Sequence, residues 1–68
     1  MTLTINGKRE VLASDRLTVV ELLKLKDVVL PEMVSVQVNG TILDRSDYGS
    51  TTVRDNDTVE FLYFMGGG

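Results

Sequence analysis

The sequence of 68 residues contains no cysteine, no histidine and no tryptophan. Without cysteine, the chain has neither a disulfide framework nor a thiolate metal site, on which small secreted domains usually depend. We therefore expect a cytoplasmic protein. Without histidine, it lacks the commonest general base, and a Ser-His or Cys-His pair for nucleophilic catalysis is excluded. We expect no catalytic residue and no enzymatic activity of its own.

Positive charge and long apolar runs are also scarce. Seven basic residues against ten acidic ones give a net charge of −3, the wrong sign for a protein that binds nucleic acid by releasing counterions. The longest uninterrupted apolar run, Phe61–Met65, has five residues, whereas a membrane span needs about twenty. The amino terminus also lacks the basic start and apolar block of a signal peptide. Neither nucleic acid nor a membrane is an expected partner.

What the sequence does contain is the composition of a small folded domain. Apolar residues make up 43% of the chain and charged residues 25%, which is ordinary globular usage. A chain of this length is near the lower limit for folding on one hydrophobic core. We expect a single domain over residues 1–64, a flexible glycine-rich tail over residues 65–68, and a monomer when the protein is free.

Alternating apolar residues predict strands at both ends of the chain. Leu3 and Ile5 lead into Asn6-Gly7, a pair typical of type I′ hairpin turns, and a returning strand follows over residues 8–12. Val34–Val38 alternates in the same way, and Asn39-Gly40 provides a second tight turn. Residues 41–43 follow that turn, residues 44–50 are predicted to be irregular, a short extended piece covers residues 51–53, and the last strand covers residues 58–64.

One helix is predicted between these strands. Thr18 and Glu21 have the spacing of a capping box, so the helix begins at Val19. Apolar residues at helical spacing, Val19, Leu22 and Leu23, give it one buried face. Pro31 prevents its continuation beyond about residue 30. The element order predicts an α+β fold, a mixed sheet of four to five strands with one helix packed across one face.

The last strand offers a candidate docking surface. Its period of two places Val59, Phe61 and Tyr63 on one face and Glu60, Leu62 and Phe64 on the other. Because a single helix covers only one face of a sheet, we expect Leu62 and Phe64 to be at least partly exposed and to contact a partner. The alternatives are a strand buried on both faces and an ordinary small surface patch.

Paired carboxylates do not suggest a metal site or acid-base catalysis. Asp44 and Asp47 are three positions apart, and Asp55 and Asp57 two apart. A calcium loop that starts at Asp55 would need an oxygen ligand and a glycine at the positions of Val59 and Glu60. We interpret these aspartates as turn-forming and solubilising residues, with no metal bound.

The glycine end is the most informative feature. Gly66, Gly67 and Gly68 are half of the six glycines of the chain, at a place where no turn requires them. One interpretation is a frayed terminus or a cloning remnant. The other is a tail without side chains that enters a narrow channel and presents its carboxylate to the active site of another protein. Position and composition alone do not separate the two.

Taken together, five segments resemble the ThiS family, the small sulfur carriers of thiamine biosynthesis. They are the Asn6-Gly7 hairpin, the helical segment 17–26, Val36–Gly40, Val53–Phe61 and Phe64–Gly68. The resemblance spans the whole chain and is strongest in Val38-Asn39-Gly40, in residues 55–60 and in the glycine end.

The resemblance implies a ubiquitin-like β-grasp fold in which the first and last strands lie side by side in the middle of the sheet. It also implies that an E1-like adenylating enzyme of the ThiF type uses ATP and Mg²⁺ to adenylate the carboxylate of Gly68. Sulfur then replaces AMP to form a thiocarboxylate, and a thiazole synthase of the ThiG type receives that sulfur. Gly66 and Gly67 would thread the active site of the partner, and Leu62, Phe64 and Met65 would dock against it. The carrier itself would bind no cofactor.

Other functions stay open at this point. The molybdopterin carrier has a similar fold and glycine end, but it is usually longer and has prolines before its tail, whereas Tyr63-Phe64-Met65 precede the glycines here. Carriers for cysteine or methionine synthesis, a protein modifier conjugated to lysines, and a plain interaction module are the remaining alternatives.

Overall fold

A computed structural model describes residues 1–28 and 33–63 of the chain. The elements in chain order are β1 (Thr2–Ile5), β2 (Lys8–Val11), β3 (Arg16–Thr18), α1 (Val19–Leu25), β4 (Val34–Val38), β5 (Thr41–Ile42), a 3₁₀ turn (Arg45–Asp47), β6 (Thr52–Arg54) and β7 (Thr58–Tyr63).

Five of the strands form one mixed sheet in the order β2-β1-β7-β4-β5. β1 and β7 are parallel, with Ile5 opposite Val59, and the other neighbours are antiparallel. The first and last strands therefore lie side by side inside the sheet, as the family resemblance implies. β3 and β6 form a separate antiparallel pair, of which the sequence predicted only a short extended piece near β6.

Both predicted tight turns are present. Asn6 and Gly7 have φ values of 51° and 83°, and Asn39 and Gly40 have values of 51° and 85°. Positive φ at both central residues is the requirement of a type I′ turn, and it explains why asparagine and glycine occupy these positions. The hairpin and the second turn are thus confirmed.

The start of α1 is the predicted capping box. The Glu21 N–H donates to Thr18 Oγ1 at 3.1 Å, and the Thr18 N–H donates to Glu21 Oε1 at 2.8 Å. The bond from the Thr18 backbone, followed by the one from its hydroxyl, lowers the pKa of the Glu21 carboxyl below its ordinary value of 4.5, because both favour the ionised form.

The end of α1 comes well before Pro31 and has a different cause. Asp27 adopts a left-handed conformation with φ of 58°. Its N–H donates to the Lys24 carbonyl at 3.1 Å, and the Val28 N–H donates to the Leu23 carbonyl at 3.0 Å. These two bonds form a Schellman motif with aspartate in the place usually taken by glycine. The helix therefore ends at Leu25.

The hydrophobic core lies between α1 and one face of the sheet. The buried helix residues are those predicted, Val19, Leu22 and Leu23. They join one cluster with the buried sheet residues Leu3, Ile5, Val34, Val36, Val59 and Phe61, and with Tyr48 and Val53. The helix thus covers one face of the sheet, and the opposite face is left without a helix.

Tyr48 is a core residue that the sequence did not predict, since it lies in a polar segment interpreted as irregular. It is only 6% exposed. Its hydroxyl donates to the Val34 carbonyl at 3.2 Å and accepts from the Val36 N–H at 3.1 Å. The Leu43 N–H donates to the Val36 carbonyl on the same edge of β4. The Tyr48 hydroxyl therefore provides the hydrogen-bond partner of the backbone groups on this edge beyond the end of β5.

Replacing Tyr48 with Phe is expected to lower the free energy of unfolding by about 1 to 3 kcal/mol, because it leaves a buried N–H and a buried carbonyl of β4 without their partner. Chemical denaturation of the variant measures this loss. Tyr63→Phe is the matched control, since Tyr63 is 54% exposed. Equal stability of the two variants would contradict the role assigned to the Tyr48 hydroxyl.

Candidate functional site

The two faces of β7 differ in exposure as the period of two predicts. Val59 and Phe61 are 0% and 6% exposed, whereas Leu62 is 41% exposed and Glu60 is exposed as well. Tyr63 departs from this pattern, because it shares the face of Phe61 but is exposed. It lies where β7 has only β4 beside it, since the pairing with β1 ends at Val59.

Leu62 belongs to a surface that we call the open face, the side of the sheet opposite α1. In the strand register, Leu62 lies opposite Ser35, and Glu60 lies opposite Gln37. Gln37 in turn lies opposite Ile42, which is 64% exposed. Val11, which is 82% exposed, lies opposite Thr2 on the same side. Three exposed aliphatic side chains, Leu62, Ile42 and Val11, therefore share the open face with small and polar residues.

Ile42 is a member of this surface that sequence reasoning missed. Its strand was predicted, but the face of a two-residue strand becomes known only from its register with Gln37. The signal was the second tight turn, because a two-residue Asn-Gly loop dictates which residues are opposite each other.

The open face carries little charge. Among the strand residues described on this side of the sheet, the charged ones are Glu60 on β7 and Arg9, which lies opposite Thr4 on β1. The remaining positions are mostly threonine, serine and glutamine. Depletion of charge around exposed aliphatic residues is typical of the centre of a protein–protein interface, so the open face has the composition of a docking surface.

The strand that leads to the glycine end is anchored on both sides. β4 pairs with β7 as far as Tyr63. On the other side, the Asn6 N–H donates to the Val59 carbonyl at 3.0 Å, and the Phe61 N–H donates to Asn6 Oδ1 at 2.8 Å. The Asn6 side chain thereby extends the ladder beyond the end of β1. Residue 63 is thus held by a central strand of the domain.

The other predicted site residues follow Tyr63 directly. Phe64, Met65, Gly66, Gly67 and Gly68 lie outside the described residues. Of the predicted docking and reacting residues, the structure therefore places Leu62, on the open face at the end of the central strand. The predicted boundary between domain and tail, at residues 64 and 65, also lies outside them.

Asp55 and Asp57 form hydrogen bonds within the turn before β7 and from that turn to β1 and Asn39. Asp57 Oδ2 accepts from the Arg54 N–H at 2.9 Å, and its Oδ1 accepts from Asn39 Nδ2 at 3.0 Å. Asp55 Oδ1 accepts from the Thr2 N–H at 2.6 Å. The turn-forming interpretation is confirmed for this pair. Within residues 1–28 and 33–63, no three acidic side chains are arranged to hold a metal ion.

In the part of the chain that the structure describes, no helix combines the length and hydrophobicity that crossing a bilayer requires.

The topology and the helix position define the class of protein. A mixed five-stranded sheet with a parallel pair of first and last strands and a single covering helix is a ubiquitin-like β-grasp fold. The crystal structure of a thiamine biosynthesis protein (ThiS) from Geobacter metallireducens superposes with a TM-score of 0.90 at 49% identity, covering 100% of both chains. An NMR solution structure of a thiamine biosynthesis protein from the same organism has a TM-score of 0.85 at 49% identity, covering 100% of this chain and 88% of that one.

The family follows from the sequence comparison. The sequence model of the ThiS family matches residues 2–68, and the chain belongs to this family, the small sulfur carriers of thiamine biosynthesis. Among curated proteins, a thiazole synthase from Magnetococcus marinus is 37% identical over 38 residues, which is 56% of this chain and 12% of that protein. This chain thus matches only a small part of the length of that relative.

Proposed function

We propose that this protein carries sulfur as a thiocarboxylate on Gly68 and donates it for thiazole formation in thiamine biosynthesis. The observation that carries the proposal is the family match, which extends from residue 2 through the glycine end to residue 68. The structural neighbours at 49% identity are thiamine biosynthesis proteins. They favour this pathway over molybdopterin, cysteine or methionine synthesis.

The chemistry requires activation of the terminal carboxylate. A terminal carboxyl has a pKa of about 3.5, so it is ionised at neutral pH, and neither of its oxygens is a leaving group. In the proposed reaction, a carboxylate oxygen of Gly68 attacks the α-phosphorus of ATP and pyrophosphate leaves. A sulfur nucleophile then attacks the acyl carbon and AMP leaves. The E1-like partner supplies ATP, Mg²⁺ and the catalytic groups.

The carrier contributes position and reach. β7 lies between two strands, and hydrogen bonds on both sides hold it as far as Phe61. In the proposal, Gly66 and Gly67 pass through a channel that a side chain would obstruct. The open face around Leu62 contacts the surface of the enzyme, and Phe64 and Met65, which follow Tyr63 in the sequence, are proposed to dock with it. Residues 65–68 then act as a tail on the domain formed by residues 1–64.

The proposed recipient of the sulfur is a thiazole synthase of the ThiG type. Its support is the similarity of 38 residues to part of a thiazole synthase from Magnetococcus marinus. A carrier-like sequence that occurs within a thiazole synthase is consistent with direct transfer between the two.

Intact-protein mass spectrometry tests the carrier function. The chain is incubated with a cognate E1-like adenylating enzyme, ATP, Mg²⁺ and a sulfide source. Replacement of one carboxylate oxygen by sulfur raises the mass by about 16 Da, the difference between the two atomic masses, and the gain should require ATP, since the carboxylate is inert without activation. Absence of the gain with a competent enzyme would leave the protein as an interaction module.

Replacing Leu62 with Asp is expected to weaken binding to the adenylating enzyme about tenfold or more, because it puts a charge in place of an exposed apolar side chain of the open face. The same change at Phe64 should act in the same direction. Calorimetric titration measures the affinity, and thermal denaturation verifies that the fold survives.

Leu25→Asp is the matched control for this prediction. Leu25 is 55% exposed but lies at the end of α1, on the opposite side of the sheet. Equal losses of affinity in the two variants would show that the open face is not the docking surface. Unfolding caused by Leu62→Asp would instead assign Leu62 to the core.

A further inference from the structure

Two arginines lie side by side on the small sheet formed by β3 and β6. In its antiparallel register, Arg16 is opposite Arg54, and Leu17 is opposite Val53. Val53 is fully buried, so the period of two directs the arginines to the outer surface of this pair of strands. Both arginines are exposed. A protein with a net charge of −3 thus has two adjacent positive charges here.

Arg16 and Arg54 form the more closely spaced of the two kinds of residue pair in an antiparallel sheet. The Val19 N–H donates to the Thr51 carbonyl, which makes these two residues a hydrogen-bonded pair. Hydrogen-bonded and non-hydrogen-bonded pairs then alternate from Val19 towards Arg16. The Arg54 N–H donates to Asp57 Oδ2 and is therefore directed away from β3. Arg16 and Arg54 form a pair without mutual hydrogen bonds, in which opposite Cα atoms are about 4.5 Å apart. Like charges at such positions destabilise a sheet.

Within residues 1–28 and 33–63, the carboxylates nearest in the sequence, Asp15, Asp55 and Asp57, form no ion pair with either arginine. The Asp55 carboxylate instead accepts from the Thr2 N–H of β1, that of Asp57 accepts from the Arg54 N–H within the following turn, and Glu21 caps α1. The ion pair found within residues 1–28 and 33–63 is elsewhere, between Lys26 and Glu10. The two arginines therefore have no ion-pair partner in the described part of the chain and are available to an external anion. Each guanidinium group has the planar fork of donors that matches a carboxylate in a bidentate contact.

The arginine pair lies at the far end of β7 from the glycine tail. β6 ends at Arg54, one turn before β7 begins, and β7 then runs for six residues to Tyr63. At about 3.3 Å per residue this strand is roughly 20 Å long. A protein bound at the arginine pair would leave the tail free to occupy an active site. The contact with the arginines would therefore change the binding affinity and not the rate of the chemical step.

We propose that Arg16 and Arg54 are a docking site for an acidic surface of the thiazole synthase that receives the sulfur. This inference rests on the proposed function. The enzyme is assigned because the similarity to 38 residues of a thiazole synthase places a carrier-like sequence and that activity in one polypeptide. The contact consists of carboxylates of the enzyme between the two guanidinium groups, separate from the open face.

The test measures binding of the full chain to the cognate thiazole synthase. Arg16→Gln/Arg54→Gln is expected to raise the dissociation constant about three- to tenfold in about 0.02 M salt. The difference should vanish in about 1 M salt, where the Debye length is about 3 Å. The melting temperature should stay equal or rise, because the substitution removes a repulsion. Lys8→Gln/Lys24→Gln, which also removes two exposed positive charges, should bind like the unsubstituted chain.

Three results would overturn the inference. Equal dissociation constants for the two double variants would show that binding depends on net charge and not on the arginine pair. A loss of affinity for the adenylating enzyme alone would assign the arginines to the other partner. Failure of the unsubstituted chain to bind thiazole synthase would show that the arginine pair is not a docking site for this enzyme. The proposed carrier function is judged separately, by the gain of about 16 Da in the adenylation assay, the mass difference between sulfur and oxygen, which requires only carboxylate activation.

Discussion

Deletion of Gly67 and Gly68 is expected to abolish thiocarboxylate formation without changing the stability of the domain. Each residue of an extended chain spans about 3.5 Å, so the shortened chain presents its carboxylate about 7 Å from the position it must reach. A misplacement of 1 Å already costs about a hundredfold in rate. Mass spectrometry after incubation with the adenylating enzyme should therefore detect no gain of mass.

Deletion of Gly68 alone is a sharper version of this experiment. The shortened chain still ends in two glycines, so it keeps the tail chemistry and loses only about 3.5 Å of reach. Its rate of thiocarboxylate formation is expected to fall at least a hundredfold. Unchanged rates would show that Gly67 can serve as the reacting residue, and unchanged rates in both deletions would contradict a role for the tail. Thermal denaturation provides the control, since glycines add no packing.

Replacing Leu22 with Ala is expected to cause a large loss of stability. Leu22 is fully buried and belongs to the cluster that joins α1 to the sheet. Such truncations cost about 2 to 5 kcal/mol, through lost transfer free energy and the cavity that remains. Small domains are stabilised by only about 5 to 15 kcal/mol in total. The melting temperature should fall by at least about 8 °C, since each kcal/mol corresponds to about 4 to 8 °C at this size.

Leu25→Ala is the matched control, because it makes the same change on the same helix at a residue that is 55% exposed. Urea denaturation of both variants gives the comparison, and similar slopes would show that the denatured states are alike. A small effect of Leu22→Ala, or an equal effect of Leu25→Ala, would contradict the placement of Leu22 in the core.

Local interactions explain which elements were predictable. The Asn6-Gly7 and Asn39-Gly40 turns need positive φ at two adjacent residues, and few other pairs adopt it. The capping box of α1 joins residues three positions apart. In each case the bonding partners are close in the sequence, so a short segment contains the information. The alternation of β7 likewise predicted that Val59 and Phe61 are buried and Leu62 exposed.

Other features depended on contacts between distant segments. Tyr48 lies in a polar stretch, and its burial depends on the hydrogen bonds between its hydroxyl and the backbone of Val34 and Val36 on β4. The end of α1 at Leu25 agrees to within one residue with the helical segment 17–26, but its cause, the left-handed Asp27, was not predicted because aspartate is uncommon in that conformation. The pairing of β3 with β6, and with it the adjacency of Arg16 and Arg54, has no local signature.

The sequence by itself therefore determined the type of element at most positions, because turn chemistry and periodicity are properties of short segments. The expectation of a reactive glycine end came from the resemblance of the sequence to the ThiS family. Only the tertiary structure decided which side chains share a surface. Strand order and register bring Ile42 beside Gln37, and Arg16 beside Arg54. Such neighbours form when distant segments pack around one core, and the pairing is selected by the burial of all their apolar faces at once.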